Sequence, residues 1–550
     1  MSGFDREESR FAPEAFERAR RCLLGLLLSF GLGVSAAQAE LLPEADAMID
    51  ATLADSTSVQ PPDDGLVINV SGGAVRGRLE KGVYVFRGIP YAKPPVGDRR
   101  WRAPRAVDPW RGVRSAHEFG PACMQTPFPE GSPYFSPLPR LSEDCLYLNV
   151  WTRDPPPRTL RPVMVWIHGG SFTRGSGAID SYDGASLALD DVVLVTINYR
   201  LGIFGYLAHP ELSQERGGSS GNYGLLDQIA ALNWVQSNIA RFGGDPENVT
   251  VFGESAGSSA VNQLLAAPDA EGLFHRAIGQ SGGFLSPQPE LVAGHAFGQE
   301  VFERAGVEDL AAARALSSGE LMRVLADMES SGHRVRPLVD GRVIPDQAIE
   351  RFRRAEQNKV PVLLGYNGDE STVFALLPDP PPLLYDNREE FSAGVRNYGR
   401  VASLPMLWLY SEDEEGSPKP YYDFWRDLIF GWNMQTWAKL NEAAGQPAWL
   451  YYFTHVPDTV FGSQLGAFHA AEIPYIFGNG VPDNPADQRV HELMRGYWVN
   501  FAKKGDPNGD GLPEWPRFGT DAGYLDINAE PRADTGLDWA RMKAWDYIFP

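Results

Sequence analysis

Cysteine is scarce in this sequence, and so is positive charge. Only three cysteines occur in 550 residues, at Cys22, Cys123 and Cys145. So few exclude a disulfide-scaffolded chain, and without a C-x2-C pair there is no support for a metal held by sulfur. Lysine and arginine total 49 against 71 aspartates and glutamates, a formal net charge of −22. That deficit argues against a nucleic-acid partner, whose phosphates need clustered cations, and disfavours an anionic membrane surface. Internal repeats and long linkers are also missing. Apolar residues make up 43 % of the chain and aromatics 11 %, ample for a large buried core, while 57 glycines and 44 prolines mark many loops.

Residues 1–39 have the pattern of an export signal. Arg18, Arg20 and Arg21 precede an apolar stretch from Cys22 to Ala37, and Ala37-Gln38-Ala39 supplies a small-residue cleavage pattern. The stretch is short for a membrane span and carries Gly25, Gly31 and Gly33, so cleavage is expected rather than stable anchoring. Arg20-Arg21 also resembles a twin-arginine signal, which leaves the export route open. The segment looks bacterial, and the expected location is periplasmic or secreted, where a disulfide between Cys123 and Cys145 is permitted. Residues 40–64 are polar, without periodicity, and predict a flexible lead-in. Residues 65–550 predict one catalytic domain.

From Gly65 short β-type runs begin, Leu66–Val70 and Val83–Arg87, with Gly72-Gly73 as the expected turn between them. Further on, the apolar runs 163–167, 192–197, 249–252, 360–364 and 449–453 are too continuous for strands wetted on one face. They suit a mostly parallel sheet covered on both sides. Leu225, Ile229, Leu232, Val235 and Ile239 recur at helical spacing, and Gly243-Gly244-Asp245-Pro246 stops that helix before the next strand, giving a βαβ unit. Residues 284–355 and 385–445 are helix-rich and predict caps over the sheet. Pro378 to Pro382 and the acidic patch from Glu412 to Glu415 predict exposed loops. Asp506-Pro507-Asn508-Gly509-Asp510-Gly511 imitates a calcium loop, but Arg517 occupies the place of its bidentate glutamate, so a surface turn is expected.

The chemistry centres on Gly253-Glu254-Ser255-Ala256-Gly257, a G-x-S-x-G between a predicted strand and a helix-compatible segment. A serine presented on so sharp a turn needs neighbours without bulk, and the flanking glycines let the backbone take the strained geometry. A serine hydroxyl is a poor nucleophile and needs a base, an orienting acid and donors for the oxyanion. His168-Gly169-Gly170-Ser171 follows the strand 163–167, so the amides of Gly169 and Gly170, with that of Ala256, are the candidate oxyanion donors. Six histidines follow the serine. Among them His469 lies in a small-residue loop after the strand 449–453, whereas His491 falls in a helix-like run. For the acid, Asp369 and Glu370 are neighbours that the residues alone do not separate.

The Gly253–Gly257 stretch and its surroundings resemble the type-B carboxylesterase family, the cholinesterase-like branch of the α/β-hydrolases. Matching stretches include Phe86-Arg87-Gly88-Ile89-Pro90-Tyr91-Ala92, Ser142-Glu143-Asp144-Cys145-Leu146-Tyr147-Leu148-Asn149, Asn198-Tyr199-Arg200 and Phe242-Gly243-Gly244-Asp245-Pro246. The resemblance implies an α/β-hydrolase fold with helical capping segments and a catalytic set of Ser255, Glu370 and His469. Two departures stand out: Ser371 replaces the glycine of the family's Asp-Glu-Gly motif, and Ala470 the glycine usual after its histidine. The resemblance also implies the Cys123–Cys145 bridge, whose loop holds Phe128, Tyr134 and Phe135 as substrate-pocket candidates. That loop has no tryptophan to stack a choline cation, so neutral aryl or alkyl esters are the expected substrates, without a cofactor or metal. Two alternatives share the resemblance. One is a specialised hydrolase of carbamates, polyesters or bulky natural esters; the other, a catalytically silent adhesion protein, predicts loss of residues that are present here.

Overall fold

The computed structural model describes residues 65–549 apart from 154, 156–158, 377–383, 386, 400–402 and 412–416. The predicted export signal and lead-in, the proline-rich turn apart from its flanks, and the acidic patch lie outside the described residues. With the exception of Leu376, the described residues belong to one compact unit.

Its centre is an eleven-stranded sheet. In chain order the strands are β1 (Arg78–Glu80), β2 (Val83–Pro90), β3 (Tyr147–Thr152), β4 (Arg161–Ile167), β5 (Val193–Ile197) and β6 (Gly244–Glu254). There follow β7 (Arg276–Gln280), β8 (Val362–Asn367), β9 (Ala448–Phe453), β10 (Gly523–Ile527) and β11 (Arg532–Thr535). Across the sheet they are ordered β1-β2-β3-β5-β4-β6-β7-β8-β9-β10-β11. All neighbours from β5 to β10 pair in parallel, and the two flanks are antiparallel. The continuous apolar runs occupy this parallel centre, and Val163, Val165, Val195, Val251 and Leu364 are all buried. Helices cover both faces because parallel neighbours need a crossover.

The expected helix between β5 and β6 spans Tyr223–Asn238, with Leu225, Ile229, Leu232 and Val235 buried as its spacing predicts. The strand before it, β5, and the strand after it, β6, both flank β4. The helix-rich segments contain Leu291–Ala305, Ser318–Ser330, Lys419–Arg426 and Trp432–Ala443.

The early strands need correction. Gly72 does not turn the chain towards Val83. Val67–Val70 instead pairs with Gly73–Arg76 in a separate three-stranded sheet, closed by Val113–Ser115. A tight Ser71-Gly72 connection favours the hairpin with the nearer strand. At β8 the strand begins after Pro361 and runs through Gly365-Tyr366-Asn367, residues that look like a turn in sequence. Gly365 fits there because the Tyr451 ring of β9 packs against its α-carbon. The calcium-like segment is an Asx turn: Asp506 Oδ1 accepts the Asn508 amide at 2.8 Å, and Asn508 Oδ1 accepts the Trp515 amide at 2.7 Å.

Candidate active site

The parallel strands end at a common edge, and the sequence-predicted residues gather there. Ser255 follows β6 directly and precedes the helix Ala256–Ala266, held at φ 56°, ψ −123°. A serine at positive φ is strained, and its amide is fixed by donation to the Gln280 carbonyl at 2.8 Å. The flanking glycines do something other than adopt unusual angles. A Cβ at Gly253 would stand 2.6 Å from the Ile167 carbonyl oxygen, and one at Gly257 closer still to the same oxygen. They are there for space, so that helix and turn can press against the end of β4, and the strain rests on Ser255 alone.

Gly169 and Gly170 follow β4 at once. A Cβ on Gly169 would meet the Glu254 carbonyl at 2.8 Å and the Ser255 Cβ at 3.1 Å, so the amide-bearing backbone lies against the serine. Gly170, Ser171 and Phe172 all have positive φ, 99°, 56° and 61°, a tight turn that points consecutive amides to one side. The turn is braced from below by His168, whose Nδ1 is 2.9 Å from the Gly169 carbonyl and whose ring stacks on Tyr199 at 4.5 Å. Burial lowers that imidazole to about 4, against the opposing Gly169 bond, so His168 is a neutral strut. Gln125, in the disulfide loop, clasps the turn by accepting the Gly175 amide at 2.7 Å and donating to the Gly175 carbonyl at 2.8 Å. Ala256 opens its helix, where amide N–H groups have no partner within the helix.

The two candidate acids separate by geometry. Glu370 is fully buried, and its Oε2 lies 2.6 Å from His469 Nδ1 while Oε1 accepts the Asn367 amide at 2.8 Å. Asp369 instead accepts the Ala467 amide at 3.0 Å and ties the histidine loop to the end of β8. The other late histidines are elsewhere: His455 pairs with Asp487 at 2.9 Å, and His491 contacts the Tyr475 carbonyl at 2.7 Å.

Two buried glutamates escaped the sequence reading. Glu254, just before the serine, places Oε1 3.1 Å from His469 Nε2, although no hydrogen bond completes that contact. Glu472, one turn after His469, accepts from Gln280 at 3.0 Å and from Asn367 at 2.7 Å, and Gln280 accepts in turn from the Trp498 indole at 3.1 Å. Burial raises both carboxyls, that of Glu254 well above the usual range despite the pull of His469. Burial would lower His469, but the charges of Glu254 and Glu370, the Glu370 hydrogen bond and Glu472 together lift it to about 9. The signal for both was present in their positions, flanking Ser255 and three residues past His469.

Cys123 and Cys145 are joined in a disulfide. Of the three aromatics in its loop, Tyr134 reaches the site and donates to the His469 carbonyl at 2.9 Å. Phe128 packs on Tyr134 at 5.3 Å, while Phe135 is 42 % exposed, outside the aromatic cluster. Phe374 and Phe430 complete the cluster, 5.1 and 4.9 Å from the His469 ring. Phe374 follows Glu370 by four residues and Phe430 comes from the capping segment 385–445, and an isolated phenylalanine carries no signal of its own. Among the described residues no group of acidic, histidine or cysteine side chains is arranged to hold a metal.

A strained serine between strand and helix, at the carboxyl edge of a parallel sheet, with a glycine turn beside it, defines the α/β-hydrolase class. The chain belongs to the carboxylesterase family, which it matches over residues 64–545. It is 36 % identical over 518 residues to fumonisin B1 esterase of Sphingopyxis macrogoltabida, covering 90 % of this chain and 92 % of that one. It is also 36 % identical over 468 residues to para-nitrobenzyl esterase of Bacillus subtilis (strain 168), covering 82 % and 92 %. A solved carboxylesterase of Geobacillus stearothermophilus superposes with a TM-score of 0.77 at 34 % identity, over 87 % of this chain and 99 % of that one. Hydrolysis of carboxylic esters, with small-molecule esters as substrates, is the activity this membership carries.

Proposed function

We propose that the chain cleaves carboxylic esters through an acyl-enzyme formed on Ser255. His469 takes the serine proton, and Glu370 holds the imidazole so that Nε2 is free to do so and balances the imidazolium that forms. The amides of Gly169, Gly170 and Ala256 receive the oxyanion. The observation that carries this reading is the 2.6 Å contact of His469 Nδ1 with the buried Glu370, which leaves Nε2 facing Glu254, the residue before the serine. Water then attacks the acyl-enzyme, with His469 again as base. Tyr134, Phe128, Phe374 and Phe430 form the apolar wall against which the ester lies, and without a loop tryptophan a choline ester is a poorer substrate than a neutral 4-nitrophenyl ester. Ser255→Ala lowers kcat for 4-nitrophenyl butyrate by about 10⁴-fold or more; turnover near the parental rate overturns the assignment.

Residues 1–39 are, on this reading, an export signal, 40–64 a lead-in and 65–550 the catalytic domain of a periplasmic or secreted enzyme. The disulfide supports this, since such bonds persist in oxidising compartments. Amino-terminal sequencing of the product outside the cytoplasm tests it, with Glu40 as the expected first residue.

A further inference from the structure

Among the described residues several arginines, Arg216 and Arg276 included, form no ion pair with a carboxylate, and two such arginines lie beside the glycine turn. Arg87, Arg100, Arg200, Arg304, Arg314 and Arg426 each hold a carboxylate. Arg174 and Arg336 hold none among the described residues, in a chain with a large excess of acids. Neither is remote from the site. Arg174 closes the oxyanion turn, its amide donating to the Gly170 carbonyl at 3.0 Å, and its guanidinium lies 5.0 Å over the Phe128 ring. Phe128 packs on Tyr134, which is bonded to the His469 carbonyl. Arg336 lies 5.9 Å over Phe284, two residues past Gly282, which packs on the Ser255 carbonyl. The Phe284 ring is 6.3 Å from that of Phe172 on the oxyanion turn.

Surrounding protein lowers the pKa of both guanidinium groups, Arg174 being half-buried while Arg336 is exposed. For Arg174 the field of Glu329, beyond ion-pairing reach, opposes that effect and the field of Arg334 adds to it. A desolvated cation without an anion is costly, and the cost is offset when an anion arrives. A guanidinium held over an aromatic ring without an ion-pair partner retains N–H groups that can bond a carboxylate. The overall charge of −22 repels anionic substrates at long range, so uncompensated local cations are what an anionic substrate requires.

We propose that Arg174 and Arg336 are contacts for free carboxylate on the substrate, and that the enzyme prefers esters bearing a carboxylate apart from the scissile bond. This deepens the ester-hydrolysis reading above and rests on it. The test compares matched substrates in two arms. The acyl arm sets 4-nitrophenyl hemiglutarate against 4-nitrophenyl valerate; the alcohol arm sets 4-acetoxybenzoate against 4-methylphenyl acetate. In at least one arm the carboxylate ester has a kcat/KM about tenfold or more above its neutral partner at low ionic strength. The responding arm tells which half of the ester the arginines grip. Arg174→Gln and Arg336→Gln each reduce that preference ratio, the corresponding lysine variants retain part of it, and about 0.5 M salt shrinks it. Equal or lower rates for both carboxylate esters, or a preference that survives both glutamine variants, overturn the proposal while leaving ester hydrolysis standing. Failure of the folded enzyme to cleave any of the four esters overturns both readings together.

Discussion

His469 sits among three glutamates, and its titration reports which of them matter. Its folded pKa of about 9 lies above the ordinary 6.5, so the protonated ring stabilises the fold fully below pH 6.5, and that contribution is lost as pH rises through about 9. The proposed general base must be unprotonated, so kcat/KM for a neutral ester climbs with pH towards that value. Glu254→Gln removes the carboxyl 3.1 Å from Nε2 that helps lift His469 and moves the limb of the pH-rate profile to lower pH. Steady-state rates between pH 5 and pH 10 check the direction; a limb that stays in place shows that Glu254 does not act on the imidazole. Sequence alone made the serine, the glycine pair and the histidine legible, because each belongs to a short motif after a strand. It did not separate Asp369 from Glu370, since adjacent carboxylates differ only in where a loop aims them. The Glu254 charge was in plain view inside the motif but silent, because its effect depends on a histidine some two hundred residues away.

At the scale of elements, the turn after β6 works only if helix and β4 can touch. Gly257→Ala forces a methyl group into the Ile167 carbonyl, and the expected cost is about 1–3 kcal/mol of stability together with a fall in kcat. Denaturant unfolding followed by fluorescence, beside esterase kinetics, measures both. A second element-level device lies at the sheet edge, where Glu80 on β1 receives Arg87 from β2 through paired bonds of 2.7 Å. The Arg87 hydrogen bond outweighs partial burial and, with Arg78, holds the Glu80 carboxyl down at about 2. Its contribution is therefore present above about pH 4.5 and lost as pH falls through 2. Glu80→Gln lowers stability at pH 7 by about 1 kcal/mol, a difference that vanishes near pH 2. The central strands were readable from their continuous apolar runs, whereas β7 and β10 were not, because Arg276, Gln280 and Asp526 break the pattern. Those side chains make polar contacts instead: Gln280 links Glu472 to Trp498, Arg276 donates to Asn248 and Asp526 accepts from Thr454.

Across the whole molecule, the disulfide loop and the histidine loop are far apart in sequence and meet at Tyr134. Replacing both Cys123 and Cys145 by serine lowers global stability by about 3 kcal/mol on the chain-entropy estimate, read from the unfolding midpoint. The same change frees the segment carrying Gln125, which clasps Gly175 after the glycine turn, and Tyr134, which holds the His469 loop. The bridge thereby couples the two loops that flank the candidate site, and the expected outcome of reducing it is a fall in kcat beside the loss of stability, which esterase assays with and without dithiothreitol measure.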